Sequence, residues 1–511
     1  MKLLMTIQDI SSWIAAAAPG AQLTSDSRRV RRGDVFFAYA GASRFIEAAV
    51  KLGAAAIVHD DADGDVTLEV HNLTVPLLAV PDLKRQAGPI AHTYYGMPDR
   101  AMFSAGVTGT NGKTSCALWL AQALARLGET SSVIGTLGVG LCKARGEIDF
   151  DVTGYTTPDA VLLARKLAVL RDAGAQAVAI EVSSIGLDQD RAAGMHFDVA
   201  MFTNLTRDHL DYHGDMAAYE AAKVKLFDWP GLTTAVINLD DAMGQRLAAH
   251  VAGKPKGDIP VIGYTLQDAA SVPERPGVLT LRASQFRSRN AGTDFQLECG
   301  MGTAPVKTRL VGHFNISNAL AVLGALLAHG VPLRAALDTI EALLPAPGRM
   351  QQVGGQDAPM IVIDYAHTPD ALEKTLAALR QVAQDRGGAL WCVFGCGGDR
   401  DPGKRPQMGA IAQQADHVLV TSDNPRSEDP HAIIEQIVAG MRQDGPQPQA
   451  IEDRAAAILS AIKHAAKPDV ILLAGKGHEP YQEIKGKKLP FSDADHAQLA
   501  LSARLTMMRT N

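Results

Sequence analysis

The chain has 511 residues, too many for one ordinary domain, so two to four domains are expected. Hydrophobic residues make up 47% of the sequence, which excludes a disordered protein and is enough to build packed cores. The 49 basic and 55 acidic residues give a net charge of -6, which argues against a protein that binds nucleic acid.

The first residues carry an alanine run after Lys2 and faintly resemble a signal peptide, but Gln8 and Asp9 interrupt the apolar stretch. The pattern therefore predicts a short amphipathic helix that ends at Pro19 and Gly20. No apolar run has the length of a membrane-spanning helix, and five scattered cysteines fit a reducing compartment. A soluble cytoplasmic protein without membrane insertion is expected.

Three segments of different sequence texture predict three domains, at residues 1–98, 99–347 and 348–511. In the first, short apolar strands alternate with helical stretches, which predicts a small α/β domain. The second has continuous apolar strands such as "AVAIEVSS" between helices, which predicts a mostly parallel sheet with helices on both faces. Its residues 257–310 are richer in polar and β-prone residues and predict an antiparallel extension. The third restarts the strand–helix alternation and predicts a Rossmann-like, doubly wound domain.

Four polar sequences follow predicted strands of the third domain: "DYAH", "GCGGDR", "SDNPR" and "AGKGHE". Thr368 before Pro369 and Asp429 before Pro430 match a helix N-cap followed by proline in the first turn, so two helices are expected to begin there. Ligands of such sheets bind beyond the carboxyl ends of the strands. The four sequences therefore predict a binding site at one edge of this sheet.

The sequence "GVTGTNGKTS" follows a predicted strand and opens a predicted helix of the second domain. Gly109 and Gly112 allow backbone N–H groups to turn toward a bound phosphate, Lys113 can reach the terminal phosphates, and the Thr114 hydroxyl can hold Mg²⁺. Val107 stands where a strict Walker A motif has glycine, so the match is to a variant loop. Binding of a nucleoside triphosphate is predicted.

Acidic and imidazole side chains follow the next strands of the second domain, at Glu181, Asp208 and His209. Mg²⁺ prefers one or two carboxylates together with phosphate oxygens, which Glu181 with Thr114 would supply. Taken alone, His209 also fits an ordinary loop histidine. Lys223 lies in a helical pattern, where a lone lysine is ordinarily a solvated surface group.

From about residue 101 to 480, the ordered motifs GTNGKT, EVSS, FTNLTRDHLDYHG, YEAAK, GHFNISN, GRM, DYAHTPDAL, GCGGDRDPGKRP, DNPR and AGKGHE resemble the Mur ligases of peptidoglycan synthesis. Within that family the sequence is most similar to the members that add the third residue of the stem peptide. The resemblance implies an enzyme that uses ATP and Mg²⁺ to phosphorylate a substrate carboxylate. An incoming amine then attacks the acyl phosphate, and phosphate leaves. The implied partners are small-molecule substrates, and the implied state is a monomer.

The resemblance also implies roles for individual residues. Lys113, Glu181, His209 and Lys223 would be catalytic, with Lys223 carboxylated on its amine, and Thr114, Glu181, His209 and Lys223 would hold metal. The implied ATP contacts are Gly109, Thr110, Asn111, Gly112, Lys113, Thr114, Ser115, Asn315, Arg349 and Asp364. The implied contacts to a UDP-muramoyl dipeptide are Ser25, Ser27, Thr156, Thr157, Ser183, Gln189 and Arg191. Asn315 is also compatible with a helix-capping role alone, and Arg349 with a linker charge.

In this family the DNPR segment lies where the incoming amino acid binds. Diaminopimelate has a carboxylate at its far end, with which Arg426 can form a bidentate pair, whereas lysine has none. A partly desolvated Arg426 with no anion would be costly, so the arginine is expected to reject lysine and to select diaminopimelate. The implied contacts to diaminopimelate are Arg400, Asp423, Asn424, Pro425, Arg426, Gly475 and Glu479.

Two alternatives share this fold: a lysine-adding muramyl ligase and a folylpolyglutamate-type ligase. A third alternative is a P-loop protein that binds nucleotide as a switch and ligates nothing. The DNPR motif and the "LTSDSR" sequence of the first domain argue against the first two. The polar clusters at four strand ends of the third domain argue against the switch.

Overall fold

The computed structural model describes residues 5–63, 75–143, 148–253, 259–273, 275–289, 292–355 and 357–510. Its three larger sheets follow one another along the chain, and each lies within one of the three predicted segments. The architecture is α/β throughout, as predicted. None of the helices in the described part of the chain combines the length and the apolar character needed to cross a membrane.

The N-terminal segment forms a four-stranded parallel sheet in the order β1-β2-β3-β4. The predicted first helix is present and begins at a capping box, in which Thr6 and Asp9 satisfy each other's backbone N–H groups. The elements are α1 (Ile7–Ala17), β1 (Leu23–Thr24), β2 (Val35–Ala38), α2 (Ile46–Lys51), β3 (Ala56–Asp60), β4 (Leu77–Val80) and α3 (Leu83–Tyr94).

The central segment forms a ten-stranded sheet in the order β14-β13-β12-β11-β10-β9-β5-β8-β6-β7. Its strands are β5 (Phe103–Thr108), β6 (Ser131–Gly135), β7 (Gly138–Cys142), β8 (Ala177–Glu181), β9 (Val199–Phe202), β10 (Thr234–Asn238), β11 (Val261–Thr265), β12 (Val278–Arg289), β13 (Gly292–Cys299) and β14 (Gly302–Lys307). Its helices are α4 (Lys113–Arg126), α5 (Ala160–Asp172), α6 (Ser184–Asp188), α7 (Leu210–His213), α8 (Met216–Val224), α9 (Ala242–Ala252), α10 (His313–Ala328) and α11 (Leu333–Glu341).

Both faces of this sheet are buried in apolar cores, which explains why its strands are continuous apolar runs. Trp119 of α4 belongs to the core on one face, and Phe197 and Phe202 belong to the core on the other. In sheet order, the seven strands β12-β11-β10-β9-β5-β8-β6 pair in parallel, and β7 pairs antiparallel with β6. At the other end, β12, β13 and β14 form the predicted antiparallel extension.

The C-terminal segment forms a six-stranded sheet in the order β15-β16-β20-β17-β18-β19, parallel except for β15. Its strands are β15 (Gln351–Gly354), β16 (Met360–Asp364), β17 (Leu390–Phe394), β18 (His417–Val420), β19 (Gln449–Ala450) and β20 (Val470–Ala474). Its helices are α12 (Pro369–Arg386), α13 (Lys404–Ala412), α14 (Pro430–Val438), α15 (Arg454–His464) and α16 (Asp493–Thr510). Thr368 and Asp429 cap α12 and α14 with their side chains, as predicted.

A two-stranded hairpin, β21 (Tyr481–Ile484) and β22 (Lys487–Pro490), follows β20. Lys485 and Gly486 form its two-residue turn with positive φ angles of 49° and 74°. All four residues of the "KGKK" sequence, Lys485 to Lys488, are exposed; the first two form the turn and the last two begin β22. The strands β16, β17, β18 and β20 are parallel, so the four predicted polar sequences meet at one edge of the sheet.

Candidate active site

The loop between β5 and α4 has the glycine-dependent conformation that the sequence predicts. Gly109 and Gly112 have φ angles of +147° and +89°. A methyl group on Gly109 would overlap the Thr203 hydroxyl, and one on Gly112 would overlap the Asn318 side-chain oxygen. Side chains are excluded at both positions by backbone conformation and by space, so the backbone here can approach a phosphate closely.

Lys113 begins α4 and folds back over this loop. Its Nζ donates hydrogen bonds of 2.8 Å to the carbonyl oxygens of Gly109 and Thr110. Burial lowers the pKa of Lys113, and the carboxylates of Glu181 and Asp208 oppose that shift. The ammonium group therefore lies against the inner side of the loop, where a terminal phosphate would accept the hydrogen bonds that now go to the two carbonyls.

Thr114 is joined to the end of β8 through a carboxylate. The Thr114 hydroxyl donates to Glu181 Oε2 at 2.9 Å, and Glu181 accepts from the backbone N–H of Thr136 at 2.8 Å. Glu181 is buried, with 1% of its surface exposed. The hydroxyl and carboxylate oxygens are the hard donors that Mg²⁺ prefers, and they lie beside the phosphate-binding loop.

Lys223 of α8 is not the solvated lysine that its helical pattern suggests. It is 1% exposed, and its Nζ donates to the Gly109 carbonyl oxygen at 3.0 Å. The same nitrogen lies 4.4 Å from the ring centroid of Tyr219. Burial lowers the pKa of Lys223 well below its ordinary value, and the nearby Lys113 lowers it further.

His209 lies at the start of α7 with a positive φ of 53°. Its Nε2 is 3.6 Å from Asp208 Oδ2, and its ring lies 6.1 Å from that of Tyr219. Burial lowers the pKa of His209, and Asp208 opposes that shift. Within the described ranges, no three His, Cys, Asp or Glu side chains converge as a metal cluster. A metal at His209 would therefore need at least one donor from outside this set of residue types.

A cavity of about 890 Å³ opens beside the loop, between the central and C-terminal sheets. Six of the predicted ATP contacts line it: Asn111, Gly112, Ser115, Asn315, Arg349 and Asp364. The Asn315 side chain donates to the Val311 carbonyl at 2.9 Å, and Asp364 accepts from the Met350 N–H at 2.8 Å. Burial raises the pKa of Asp364.

Two contacts bring the C-terminal segment onto the phosphate-binding loop. Arg349 donates to the Thr114 hydroxyl at 3.3 Å, and its guanidinium lies 4.4 Å from the Tyr365 ring centroid. Asn111 donates to Asp370 at 3.4 Å. The Arg349 Nε is buried and has no hydrogen-bond partner among the described residues. A donor in this position suits an anion in the cavity.

The residues predicted for the UDP-muramoyl dipeptide form a connected network near the end of β8. Thr157 Oγ1 lies 3.1 Å from Ser183 Oγ, and Arg191 donates to the Thr157 carbonyl at 3.1 Å. Arg191 also donates to the Gln189 side-chain oxygen at 2.7 and 3.0 Å. Thr156 is 3.1 Å from Thr136, which in turn contacts Glu181, so this network reaches the Glu181 carboxylate.

The two predicted residues of the first segment lie apart from that network. Ser25 donates to Asp159 at 2.7 Å, and Tyr39 donates to the other oxygen of Asp159 at 2.8 Å. Ser27 is half-buried in the short helical turn Ser27–Arg29. Asp159 caps α5 of the central segment, so Ser25 sits at the junction of the N-terminal and central sheets.

The DNPR segment follows β18 and packs against the loop after β17. Gly398 N–H donates to the Asn424 carbonyl at 2.9 Å, and Arg426 donates to the Gly398 carbonyl at 2.7 Å. A methyl group on Gly398 would overlap the Pro425 carbonyl oxygen. Arg400 is exposed, and a methyl group on Gly397 would lie within 4 Å of side-chain atoms of both Arg400 and Arg426.

Arg426 already has an anionic neighbour, so the premise that it would lack an anion is wrong. Its Nε lies 3.5 Å from Glu483 Oε2, and the two side chains are 22% and 25% exposed. The expected rejection of lysine therefore cannot rest on an unpaired guanidinium.

Asp423, Asn424, Gly475 and Glu479 surround a buried lysine, Lys476. Asn424 donates to Glu479 Oε2 at 2.7 Å, and Lys476 donates to the same oxygen at 3.2 Å. Burial raises the pKa of Asp423, which lies 4.0 Å from the ammonium of Lys476. A side chain on Gly475 would overlap Asp423.

Three residues of these clusters were not predicted from the sequence: Asp159, Lys476 and Glu483. Asp159 follows a proline and precedes an apolar helical run, an N-cap signal that was available. Lys476 stands inside the quoted "AGKGHE", but no local pattern distinguishes a buried lysine from an exposed one. Glu483 lies in a strand that contacts Arg426 only after the chain has folded.

The nucleotide cavity, the lysine-containing loop and the strand-end clusters together define an ATP-dependent enzyme of the Mur ligase class. A family model described as the Mur ligase middle domain matches residues 107–326, and one described as the Mur ligase, glutamate ligase domain matches residues 348–477. These matches cover more than half of the chain. The chain belongs to the Mur ligase family and is an ATP-dependent ligase that forms amide bonds, which confirms the resemblance.

Individual relatives extend over nearly the whole chain. The UDP-N-acetylmuramoyl-L-alanyl-D-glutamate--2,6-diaminopimelate ligase of Janthinobacterium sp. (strain Marseille) is 59% identical over 517 residues, covering 99% of each chain. A solved structure of a ligase with the same description is 35% identical, with a TM-score of 0.65 over 94% of this chain and 95% of that one. The Mycobacterium tuberculosis folylpolyglutamate synthase complexed with ADP shares the fold at 21% identity, with a TM-score of 0.60 over 77% of this chain and 91% of that one.

Proposed function

We propose that this enzyme uses ATP to add diaminopimelate to UDP-N-acetylmuramoyl-L-alanyl-D-glutamate, a step of peptidoglycan precursor synthesis. Relatives that carry this activity in their names are 45–59% identical to this chain and cover 94–99% of it. The observation that carries the proposal within the structure is Arg426, whose guanidinium donates to the Gly398 carbonyl at the strand ends of the C-terminal sheet.

The reaction would be divided among three domains at residues 1–98, 99–347 and 348–511. Lys113 and Arg349 would bind the phosphates, while Asn315 and Asp364 would hold the adenosine part of ATP. Thr157, Ser183, Gln189 and Arg191 would orient the dipeptide so that its carboxylate faces the γ-phosphate. The amine of diaminopimelate would then attack the acyl phosphate from the C-terminal side. ATP as substrate is consistent with a cytoplasmic location.

Mg²⁺ belongs to this proposal because the donor set fits it. The Thr114 hydroxyl and the Glu181 carboxylate lie 2.9 Å apart beside the loop and would hold one ion together with phosphate oxygens. His209 and a carboxylated Lys223 would hold a second. The ions would neutralise charge on the phosphates during transfer.

The test is the mass of the product after the enzyme is incubated with ATP, UDP-muramoyl dipeptide and either diaminopimelate or lysine. We expect the diaminopimelate tripeptide and release of phosphate only when all three substrates are present. The Arg426→Ala variant should lose diaminopimelate ligation by at least about a hundredfold, because a charge-assisted pair is removed. Faster ligation of lysine, or phosphate release without an amino acid, would reject the assignment.

A further inference from the structure

Four arginines stand within five residues of the first segment, at Arg28, Arg29, Arg31 and Arg32. All four are exposed, in a chain whose net charge is -6. None of them is among the residues assigned to ATP, to the dipeptide or to the amino acid. A dense cluster of positive charge on a negatively charged protein creates a local field that attracts an anionic partner.

Three of these arginines, Arg28, Arg29 and Arg31, line a groove of about 670 Å³ between the N-terminal and central segments. Residues 151–153 and α5 form its central side. Arg165 and Lys166 of α5 add two further cations to the lining. Five cations and two carboxylates line this basic groove, so it carries positive charge although the chain as a whole is negative.

The basic groove is separate from the residues predicted to contact the UDP-muramoyl dipeptide, none of which lines it. Gln22 and Asp34 line the groove and precede β1 and β2. Ser25 and Ser27, by contrast, follow β1, at the end where ligands of parallel sheets bind. The groove is therefore a surface additional to the candidate active site.

The first two arginines of the run are only partly neutralised within the protein. Arg28 Nε lies 2.9 Å from Asp26 Oδ1 and Arg29 Nε lies 3.8 Å from Asp26 Oδ2, so two guanidinium groups share one carboxylate. The two arginine side chains are 83% and 54% exposed. Ion pairs this exposed contribute little to stability, so these arginines can turn to another anion at small cost.

Arg31 and Arg165 keep most of their donors for a partner. Arg165 donates a hydrogen bond of 3.4 Å to the Leu23 carbonyl. The Asp34 carboxylate accepts from the backbone N–H of Arg31 at 2.8 Å. Among the described residues, neither arginine is paired with a carboxylate, whereas Lys166 of the same groove is. A guanidinium with free donors can bind a carboxylate through two parallel hydrogen bonds.

Apolar side chains lie among these charges. Val152 and Val169 line the basic groove and are 69% and 58% exposed. A partner that covered the two valines would remove apolar surface from water while its carboxylates met the arginines. No residue that lines the groove is aromatic, so it offers no platform on which nucleic-acid bases could stack. Its concave shape suits an extended chain better than a planar membrane.

We propose that the basic groove is a docking site for an extended acidic segment of a partner protein, in which carboxylate and aliphatic side chains alternate. Successive side chains of an extended chain point to opposite sides. The aliphatic ones can therefore face Val152 and Val169, while aspartate or glutamate side chains reach Arg29, Arg31 and Arg165. The enzyme would associate with another protein while its active site stays free, whichever amino acid it adds.

The test titrates the full-length enzyme into a fluorescent peptide of about twelve residues, in which glutamate and valine alternate, and follows the anisotropy. We expect binding that is weaker by at least about tenfold for Arg29→Glu/Arg31→Glu, because two attractive charges become repulsive. Arg100→Glu/Arg334→Glu changes two exposed arginines outside the groove by the same net charge and should bind within about twofold of the wild-type enzyme. Val169→Ser should weaken binding by about threefold, because apolar contact is lost.

Two matched peptides separate charge from apolar contact: one carries glutamine for glutamate and the other serine for valine. Both should bind at least about tenfold more weakly than the first peptide. Absence of binding by the glutamate–valine peptide, or equal binding to the wild-type enzyme and Arg29→Glu/Arg31→Glu, would overturn the proposal. Thermal melting shows whether each variant folds.

Other occupants of the basic groove give different results, each of which would overturn the proposal. Equal affinity for the serine peptide, or displacement of the peptide by inorganic pyrophosphate at a similar concentration, would indicate a site for small anions. Sedimentation with phosphatidylglycerol vesicles that is lost in Arg29→Glu/Arg31→Glu would indicate a lipid surface. A dimer that the same variant abolishes would indicate a second copy of this chain. Loss of ligation in that variant would place the groove in the substrate site.

Discussion

Lys223 shows how one side chain's chemistry is set by surroundings that no local sequence pattern reveals. Lys223 lies in a helix with an ordinary amphipathic pattern, and most lysines in such helices face solvent. In the folded chain it lies against the ring of Tyr219 and beneath the Gly109 carbonyl, with 1% of its surface exposed. A special role for this lysine could therefore be predicted only from the family resemblance. Its burial is the physical reason why its chemistry differs from that of a surface lysine.

Burial makes Lys223 suited to react with carbon dioxide. Its lowered pKa increases the fraction of neutral amine at a given pH, and only a neutral amine adds to CO₂. In that addition a C–N bond forms, one proton leaves the nitrogen, and a carbamate anion results. The product would change a cation beside Lys113 into an anion, which removes a repulsion that the unmodified side chain creates.

We expect ¹³C-labelled CO₂ to give a carbamate signal in the NMR spectrum of the wild-type enzyme and none in Lys223→Arg. Because the pKa is shifted downward, the signal should persist at lower pH than for an ordinary lysine and disappear once pH falls below the folded-state pKa. Lys225→Arg, which changes a half-exposed lysine two positions further along that pairs with Asp188, is the matched control. A labelled signal of the same intensity in Lys223→Arg would show that another amine carries the group.

At the scale of elements, the strand–loop–helix from β5 to α4 could be predicted from the sequence because its requirements are local. Glycine, lysine and threonine at fixed spacing after an apolar strand specify the turn and the helix start. The strand ends of the C-terminal sheet were predictable for the same reason, since parallel strands place their carboxyl ends at one edge. The hairpin β21–β22 was not, because only its docking on Arg426 gives it a role.

Two glycines at the ends of α4 allow the effect of backbone strain to be measured separately from the effect of steric overlap. Gly112 and Gly128 lie at the two ends of α4 with φ angles of +89° and +96°. A methyl group on Gly112 would overlap the Asn318 side chain, whereas one on Gly128 would meet nothing within 4 Å. Alanine at either position carries the cost of a left-handed backbone, on the order of 1 kcal/mol.

We expect Gly112→Ala to weaken ATP binding by at least about tenfold, because the loop must shift away from Asn318 and its N–H groups then no longer converge on the phosphates. Gly128→Ala should lower the melting temperature while leaving ATP affinity unchanged. Isothermal titration with a non-hydrolysable ATP analogue and thermal melting measure the two effects. Equal loss of ATP affinity in both variants would indicate that backbone strain, rather than overlap, governs the loop.

At the scale of the whole molecule, the site is assembled by contacts between residues far apart in sequence. Asn111 and Asp370 are 259 positions apart, and Arg349 and Thr114 are 235 apart. Three successive α/β segments and the polar edge of the C-terminal sheet could be expected from strand and helix patterns. The side-chain contacts between the sheets could not be predicted, because they depend on how the sheets are placed against one another.

One carboxylate, that of Asp159, contributes two side-chain hydrogen bonds to the junction between the N-terminal and central segments. Asp159 accepts from Ser25 and Tyr39 of the first segment and from the Val161 N–H of its own helix. Burial, and after it the negative charge of Asp159, raises the pKa of Tyr39 well above its ordinary value. The phenol therefore remains a hydrogen-bond donor at every physiological pH. Ser25 is therefore positioned by a residue of the domain that would bind the dipeptide end of the same substrate.

We expect Asp159→Ala to raise the KM for the UDP-muramoyl dipeptide by about tenfold while leaving the KM for ATP and diaminopimelate within about twofold. The lost cap and two hydrogen bonds should also lower stability by about 2 kcal/mol. Asp453→Ala removes an exposed cap from α15 in the C-terminal segment and is the matched control. It should lose only the capping part of the stability and keep all three KM values. If Asp159→Ala melted at a lower temperature yet kept its KM for the UDP substrate, Ser25 would not depend on this junction for its position.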